Sequence, residues 1–408
     1  MNAVRIVLAV GLITGCGKSA DHGSQATPGS ATPPPVASDA PVVADASPDG
    51  APALPDAAPP PPVTGGAPRA VDPAANLPIV SGEIELTVGT RTVHGTLVKP
   101  AEAGTWPGVL ILAGSGPTDR DWNSKLITST NGSGRLLAED LARAGAVVLR
   151  FDKAFSGTNH GPPPAELSID TYRDEDVAAL AFLRGRADVR GDAVFVAGHS
   201  EGGIHATRLA AVAGKDLAGI LYLSAAGRSM GDIVLGQLDQ QFQEAMKDPA
   251  VAAKMMEPIR AAFADFLAGK DVDPMKVNTV PGVRQLMMSV MNPAGARLGR
   301  ALFGYDPSGE AAKLTIPVFI FNGGKDTQVD PERDARRLEK AVRTGGRDVT
   351  FHLAPEADHV LKHEPRTIAE VRSDLAASTE NYNAAGRVLD PDAIGAIRAW
   401  LGAHTKVR

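Results

Sequence analysis

The sequence predicts an α/β protein built on a mostly parallel, doubly wound sheet that carries one inserted helical subdomain. Three observations lead there. Six short, continuous apolar runs recur through the chain, as expected of strands covered on both faces. Amphipathic helical segments alternate with them, the rhythm of strand–helix–strand crossovers. Finally, residues 229–312 break this rhythm with a long, Pro-interrupted, helix-rich stretch between two strand-like runs.

Taken in order, the chain opens with Arg5 and an apolar run over 6–14, too short for the roughly 20 residues of a membrane span but suited to a signal peptide. Residues 16–78 are rich in Ala, Pro, Gly, Ser and Asp. Fifteen of the 32 prolines fall here, and all 18 aromatic residues lie at or after Trp106. Such a composition buries too little apolar surface to offset chain entropy, so 16–78 is expected to be a disordered tether and 79–408 the folded body.

Within the body, "EIELTV" and "RTVHGTLV" flank Gly89-Thr90 and read as a hairpin with a two-residue turn. The runs "PGVLILAG", "AVVLRFD", "AVFVAGHS", "AGILYLS", "IPVFIFNGG" and "VTFHLAP" are the sheet strands. Between and after them, "RLLAEDLARAG", "IDTYRDEDVAALAFLRG", "GGIHATRLAAVAG", "ERDARRLEKAVRTG" and "PDAIGAIRAWLGAH" are the helices. Every methionine except Met1 lies in the 229–312 insertion. These side chains either fill a small helical core or line an acyl-binding wall over the site.

A formal charge of −6 with no Lys/Arg cluster argues against nucleic acid as a partner. The single cysteine excludes an intramolecular disulfide and any multi-thiolate metal site. His359 and His363 stand four apart, but a zincin helix needs Glu where this chain has Val360, and no metal is expected. Neither Gly114-Ser115-Gly116 nor Gly324-Lys325-Asp326 satisfies a phosphate-loop pattern.

The strongest chemical signal is Gly198-His199-Ser200-Glu201-Gly202-Gly203, set between an apolar strand and an amphipathic helix. Gly-x-Ser-x-Gly in that context is a nucleophile elbow, in which a serine on a strained turn stands above the sheet's carboxyl edge. A serine nucleophile needs a base, and the base an orienting acid. Asp326 follows one late strand and His359 the next, 126 and then 33 residues on, in the order Ser, Asp, His. Asp330 and Asp358 are alternative acids; His352 and His363 are alternative bases. The amides of Ser115, after the first core strand, and Glu201 are the candidate oxyanion donors, with Gly116 in place of Ser115 as the alternative. Asp119, Arg120 and Asp121 are expected to fix their loop through hydrogen bonds and ion pairs.

Two resemblances follow. Ile13-Thr14-Gly15-Cys16 resembles the bacterial lipoprotein signal, which implies cleavage after residue 15, lipidation of Cys16 and a body tethered to the cell envelope. By the same analogy Gly17, which is not Asp, permits outer-membrane sorting. Residues 79–408 resemble the α/β-hydrolases, close to the bacterial serine esterase and serine-aminopeptidase-like group. The shared strings are Gly-Ser-Gly-Pro-x-Asp-Arg-Asp at 114–121 and the elbow at 198–203. That resemblance implies an α/β-hydrolase fold with 229–312 as a lid, Ser200, Asp326 and His359 as triad, and Ser115 as oxyanion residue. No cofactor is implied, and the substrate is an ester or a peptide-like molecule. The chain departs from the group at Ala113, often His in relatives, and at Asp152-Lys153-Ala154-Phe155, where relatives usually have Asp-Lys-Arg-Gly. The rival functions are an exopeptidase, with Glu201 or Asp121 clamping a peptide terminus, and a surface-tethered binding protein without activity. Haloalkane chemistry would require Asp at 200.

Overall fold

A computed structural model describes residues 66–407, apart from 126, 164–165, 247 and 278–279. The signal peptide, Cys16 and most of the expected tether lie outside the described residues.

The strands are β1 (Ile79–Val88), β2 (Arg91–Pro100), β3 (Trp106–Leu112), β4 (Val147–Phe151), β5 (Val189–His199), β6 (Gly219–Leu223), β7 (Val318–Gly323) and β8 (Val349–Ala354). They form one eight-stranded sheet in the order β1-β2-β4-β3-β5-β6-β7-β8. The first two make the expected hairpin, closed by Gly89 at φ +60°, and β2 pairs antiparallel with β4. From β4 onward every pairing is parallel. Five of the six strands read as continuous apolar runs are interior; the sixth, β8, is the edge strand, and its middle positions are partly exposed.

Their side chains alternate between two cores, as the pleat requires. Leu110 and Leu112 of β3 join Leu183, Leu209 and Leu338 beneath α2 (Ile169–Arg184), α3 (Gly202–Ala213) and α10 (Arg336–Thr344). Val109 and Ile111 instead join Leu137, Leu141, Ile397 and Trp400 beneath α1 (Ser133–Arg143) and α13 (Pro391–His404). Each such side chain contributes about 1.5–3 kcal/mol by leaving water. The helix expected near Pro331 opens with a π-type turn over Pro331–Ala335, capped by the Asp330 carboxylate, which accepts from the amides of Glu332 and Arg333. Its α-helical part is α10.

The insertion contains α4 (Met230–Met246), α5 (Pro249–Leu267), α6 (Pro274–Val277), α7 (Pro281–Val290), α8 (Ala296–Gly304) and α9 (Pro307–Ala311). A third core built from Phe242, Phe263, Phe303, Met256 and Met287 joins these helices to Tyr172 and Ile204 on the sheet's helices.

Two features differ from the expectations. The expected tether does not run free to residue 78: from 66 onward it lies along the body. Val71 is buried, and its amide donates to Thr405 Oγ1 at 2.9 Å. The amides of Asp72 and Leu77 donate to the carbonyls of Ala144 and Arg143. Backbone hydrogen bonds and two apolar side chains suffice where the local composition alone suggests disorder. Second, two short helices, α11 (Ile368–Ser373) and α12 (Leu375–Glu380), lie between β8 and α13. Neither is long enough to show a helical period in the sequence, although Thr367 and Glu370 form a capping box at the start of α11.

Candidate active site

Ser200 occupies the turn between β5 and α3 with φ +55°, a left-handed conformation that a non-glycine residue adopts only under external constraint. Its amide donates to Leu223 O at 3.1 Å, and its carbonyl accepts from Ala226 at 3.3 Å, so β6 holds the turn. The flanking glycines are required sterically. A Cβ on Gly198 would lie 2.3 Å from Gly202 O, and one on Gly202 would lie 2.4 Å from Leu112 O.

Asp326 follows β7 and is buried. Its Oδ1 accepts from the amides of Gln328 (2.8 Å) and Val329 (2.9 Å), while Oδ2 accepts from His359 Nδ1 at 2.9 Å. A carboxylate held on three sides presents one fixed lone pair to the imidazole. His359 sits on the turn after β8, next to Asp358, whose Oδ1 accepts from the amides of Val360 and Lys362. Burial pushes the Asp358 carboxyl up to about 6 in spite of Arg387, 2.9 Å away. The two other acids considered thus have different duties: Asp358 shapes the turn and Asp330 caps a helix. Of the other histidines, His352 faces Asp392 and His363 faces Asp390, both at the start of α13.

Ser200 and His359 line one cavity of about 80 Å³, together with Gly114 and Ser115. Its apolar walls are Trp122, Ile127 and Val360, and α12 contributes Thr379, followed by Tyr382. Of the two readings of the methionines, the core is the one the packing supports. None of the insertion's methionines borders the cavity; Met230, Met256, Met287 and Met291 are buried in the insertion's own core, and Met288 is exposed. From the insertion, Leu302 borders a second, smaller cavity with Gly116, Lys153, Phe155, Tyr172 and Glu201. Among the described residues no group of three His, Cys, Asp or Glu side chains is placed to hold a metal ion.

The loop after β3 is fixed as the sequence suggests. Asp119 Oδ1 accepts from the amides of Asp121 and Asn123, Arg120 pairs with Asp152 and Glu83, and Arg150 Nε donates to Asp121 at 2.7 Å. Lys153 donates to the carbonyl of Gly114 and lies 3.3 Å from Glu201 Oε1. Although burial alone would raise it, Lys153 and His205 hold the Glu201 carboxyl down to about 2.

Sequence reasoning missed several neighbours of the site. The His199 ring stacks on Trp122 with centroids 4.0 Å apart, and its Nε2 donates to the carbonyl of His359 at 2.9 Å. Burial and the nearby His359 keep its pKa well below the usual histidine range. Gln328 Nε2 donates to Tyr382 Oη at 3.0 Å, tying the Asp326 turn to the segment after α12. For Lys153 a signal did exist: it stands two residues beyond a core strand, at a position the chain shares with its relatives' Asp-Lys-Arg-Gly motif, while the departures fall on Ala154 and Phe155.

Residues 109–371 match the Alpha/beta hydrolase family. Over 280 residues the chain is 25% identical to Esterase EstD of Thermotoga maritima, covering 68% of this chain and 60% of that protein. The chain thus spans about 60% of the length of the curated relative it matches. Similar solved structures include brefeldin A esterase, described as a bacterial homologue of human hormone-sensitive lipase (15% identity, TM-score 0.47, 82% of this chain and 80% of that one). Another is Est1E from Butyrivibrio proteoclasticus with ferulic acid bound (14% identity, TM-score 0.45, 73% and 96%). With the family match running from β3 to α11, across the elbow and both later strand ends, the chain belongs to the alpha/beta hydrolase family.

Proposed function

We propose that this protein is a serine hydrolase that cleaves carboxylic esters through an acyl-enzyme. The observation that carries the reading is the His359 Nδ1–Asp326 bond with Ser200 and His359 on one cavity. Ser200 Oγ attacks the ester carbonyl while His359 Nε2 takes its proton; Asp326 holds the tautomer that leaves Nε2 free to accept. The amides of Ser115 and Glu201 receive the developing oxyanion. His359 then protonates the departing alcohol and activates the water that releases the acid. Esters are favoured over peptide termini because both clamp candidates are engaged: Glu201 by Lys153 and His205, Asp121 by Arg150.

The test is a screen of p-nitrophenyl esters of rising acyl length beside aminoacyl amides, for wild type and Ser200→Ala. Esters should lead over aminoacyl amides, and Ser200→Ala should lose nearly all turnover, on the order of 10⁶-fold. A Ser200→Ala protein at wild-type rate, or a preference for aminoacyl amides, refutes the reading. The motif at 13–16 further supports lipidation at Cys16 and attachment to the bacterial envelope, with the Pro/Ala-rich segment as spacer. Cys16→Ser should move the protein out of the detergent-phase membrane fraction; unchanged retention there refutes the anchor.

A further inference from the structure

Three strand ends meet at one ammonium group. Lys153 follows β4, Gly114 follows β3, and Glu201 follows β5, and these strands are neighbours in the sheet. Lys153 Nζ donates to the Gly114 carbonyl and lies 3.3 Å from Glu201 Oε1, with the lysine side chain 9% exposed and the glutamate 3%. Glu201 Oε1 also meets His205 Nε2 at 3.4 Å. Two chemical facts give this cluster a direction. The Gly114 carbonyl belongs to the same peptide group as the Ser115 N–H, so a cation on its oxygen draws electron density from that nitrogen and strengthens the N–H as a donor. Glu201, the counter-charge, is the residue whose own amide is the other candidate donor.

The geometry points to Lys153 as the positioning residue of the oxyanion hole, joining and polarising its two halves. This rests on the proposed serine hydrolase reading. Lys153 touches neither the nucleophile nor the substrate carbonyl. It fixes the Gly114–Ser115 peptide plane relative to the start of α3, so both amides are oriented before charge develops between them, as preorganised stabilisation requires. Glu201 answers the burial of the ammonium, since a lysine this enclosed needs an ionised partner. The carboxylate inside the elbow motif thereby serves the loop after β3, on the next strand.

The experiment compares full-length wild type with Lys153→Met, Lys153→Arg, Glu201→Gln and Ser200→Ala. It measures kcat and KM on p-nitrophenyl acetate and the affinity of a trifluoromethyl ketone, which adds to a serine as a tetrahedral alkoxide. Removing an oxyanion donor outright costs about 10²–10³ in kcat, so Lys153→Met, which keeps both donors, should cost roughly 10–100-fold. KM should stay within about threefold, ketone affinity should fall by the same factor as kcat/KM, and Lys153→Arg should recover part of the loss. A Lys153→Met protein with wild-type kcat, with its loss confined to KM, or with unchanged ketone affinity overturns the proposal. If circular dichroism shows that Lys153→Met does not fold, Glu201→Gln decides: it keeps its amide but frees the lysine, so it should show the same kcat and ketone pattern, and wild-type values overturn the proposal. Turnover by Ser200→Ala would overturn both this proposal and the hydrolase reading. An inactive Ser200→Ala beside a wild-type-like Lys153→Met overturns this proposal alone.

Discussion

Changing Asp326→Asn exchanges one oxygen for an amide and leaves the side chain's shape intact. In the structure Oδ1 accepts two backbone amides, Gln328 and Val329, and Oδ2 accepts from His359 Nδ1. The asparagine oxygen must stay with the two amides, because a turned NH₂ would face two N–H donors. Its nitrogen then points at His359 Nδ1, which becomes an acceptor, and the ring proton moves to Nε2. An imidazole in that tautomer cannot take the Ser200 proton. In a Ser-His-Asp triad this error costs about 10⁴-fold in kcat, equivalent to roughly 5 kcal/mol of transition-state stabilisation. Stability should change little, since the backbone bonds survive. The assay is steady-state hydrolysis of p-nitrophenyl acetate with active-site titration by an organophosphonate, beside thermal unfolding. Asp330→Asn is the control: it caps the turn at Pro331 and should keep kcat within about twofold while costing at most about 1 kcal/mol of stability. An Asp326→Asn protein within tenfold of wild-type kcat would show that this carboxylate does not set the tautomer.

The Glu201 carboxyl, near 2 in the fold against an ordinary 4.5, contributes stability that is fully present above pH 4.5 and is lost as pH falls toward 2, on the order of 3 kcal/mol. Glu201→Gln removes that slope, so the Tm gap between it and wild type should narrow from pH 7 to pH 3; a constant gap contradicts the assignment. Met287→Ala, fully buried in the insertion's core, should cost about 2–5 kcal/mol in denaturant unfolding and leave the ratio of acetate to octanoate hydrolysis unchanged. Ile127→Ala, on the cavity wall, should do the reverse: little loss of stability, and kcat/KM shifted toward longer acyl chains by about tenfold. Superimposable acyl profiles for Ile127→Ala and wild type would remove Ile127 from the acyl wall.

Much of the sheet is legible because its interior strands are buried on both faces, which leaves continuous apolar runs; edge strand β8 carries a similar run although only its two ends are buried. The elbow is legible because a Cβ at Gly198 would meet the start of α3 and one at Gly202 would meet the Leu112 carbonyl of β3, and such a constraint is written in residue type. α11 and α12 are not legible: at six residues each they display less than two turns, too little for a periodic pattern. The methionines were ambiguous for a related reason. A flexible apolar side chain has the same signature whether it fills a helical core or lines a pocket, and only the packing around Met256 and Met287 separates the two.

Local order in the chain therefore determined the strands, the crossover helices, the elbow and the sequence of strand ends from which Asp326 and His359 emerge. Those properties depend on neighbours within a dozen residues. The tertiary structure alone decided which distant segments share a space: that residues 379–382 and not the insertion border Ser200, that residues from 66 onward lie along α1 and α13, and that Lys153 reaches both Gly114 and Glu201. The last follows from the sheet order β4-β3-β5, which brings residues 114, 153 and 201 to adjacent strand ends although nearly forty residues or more separate each from the next. Pairing order is a property of the whole sheet's packing, and no local pattern of apolar and polar residues encodes it.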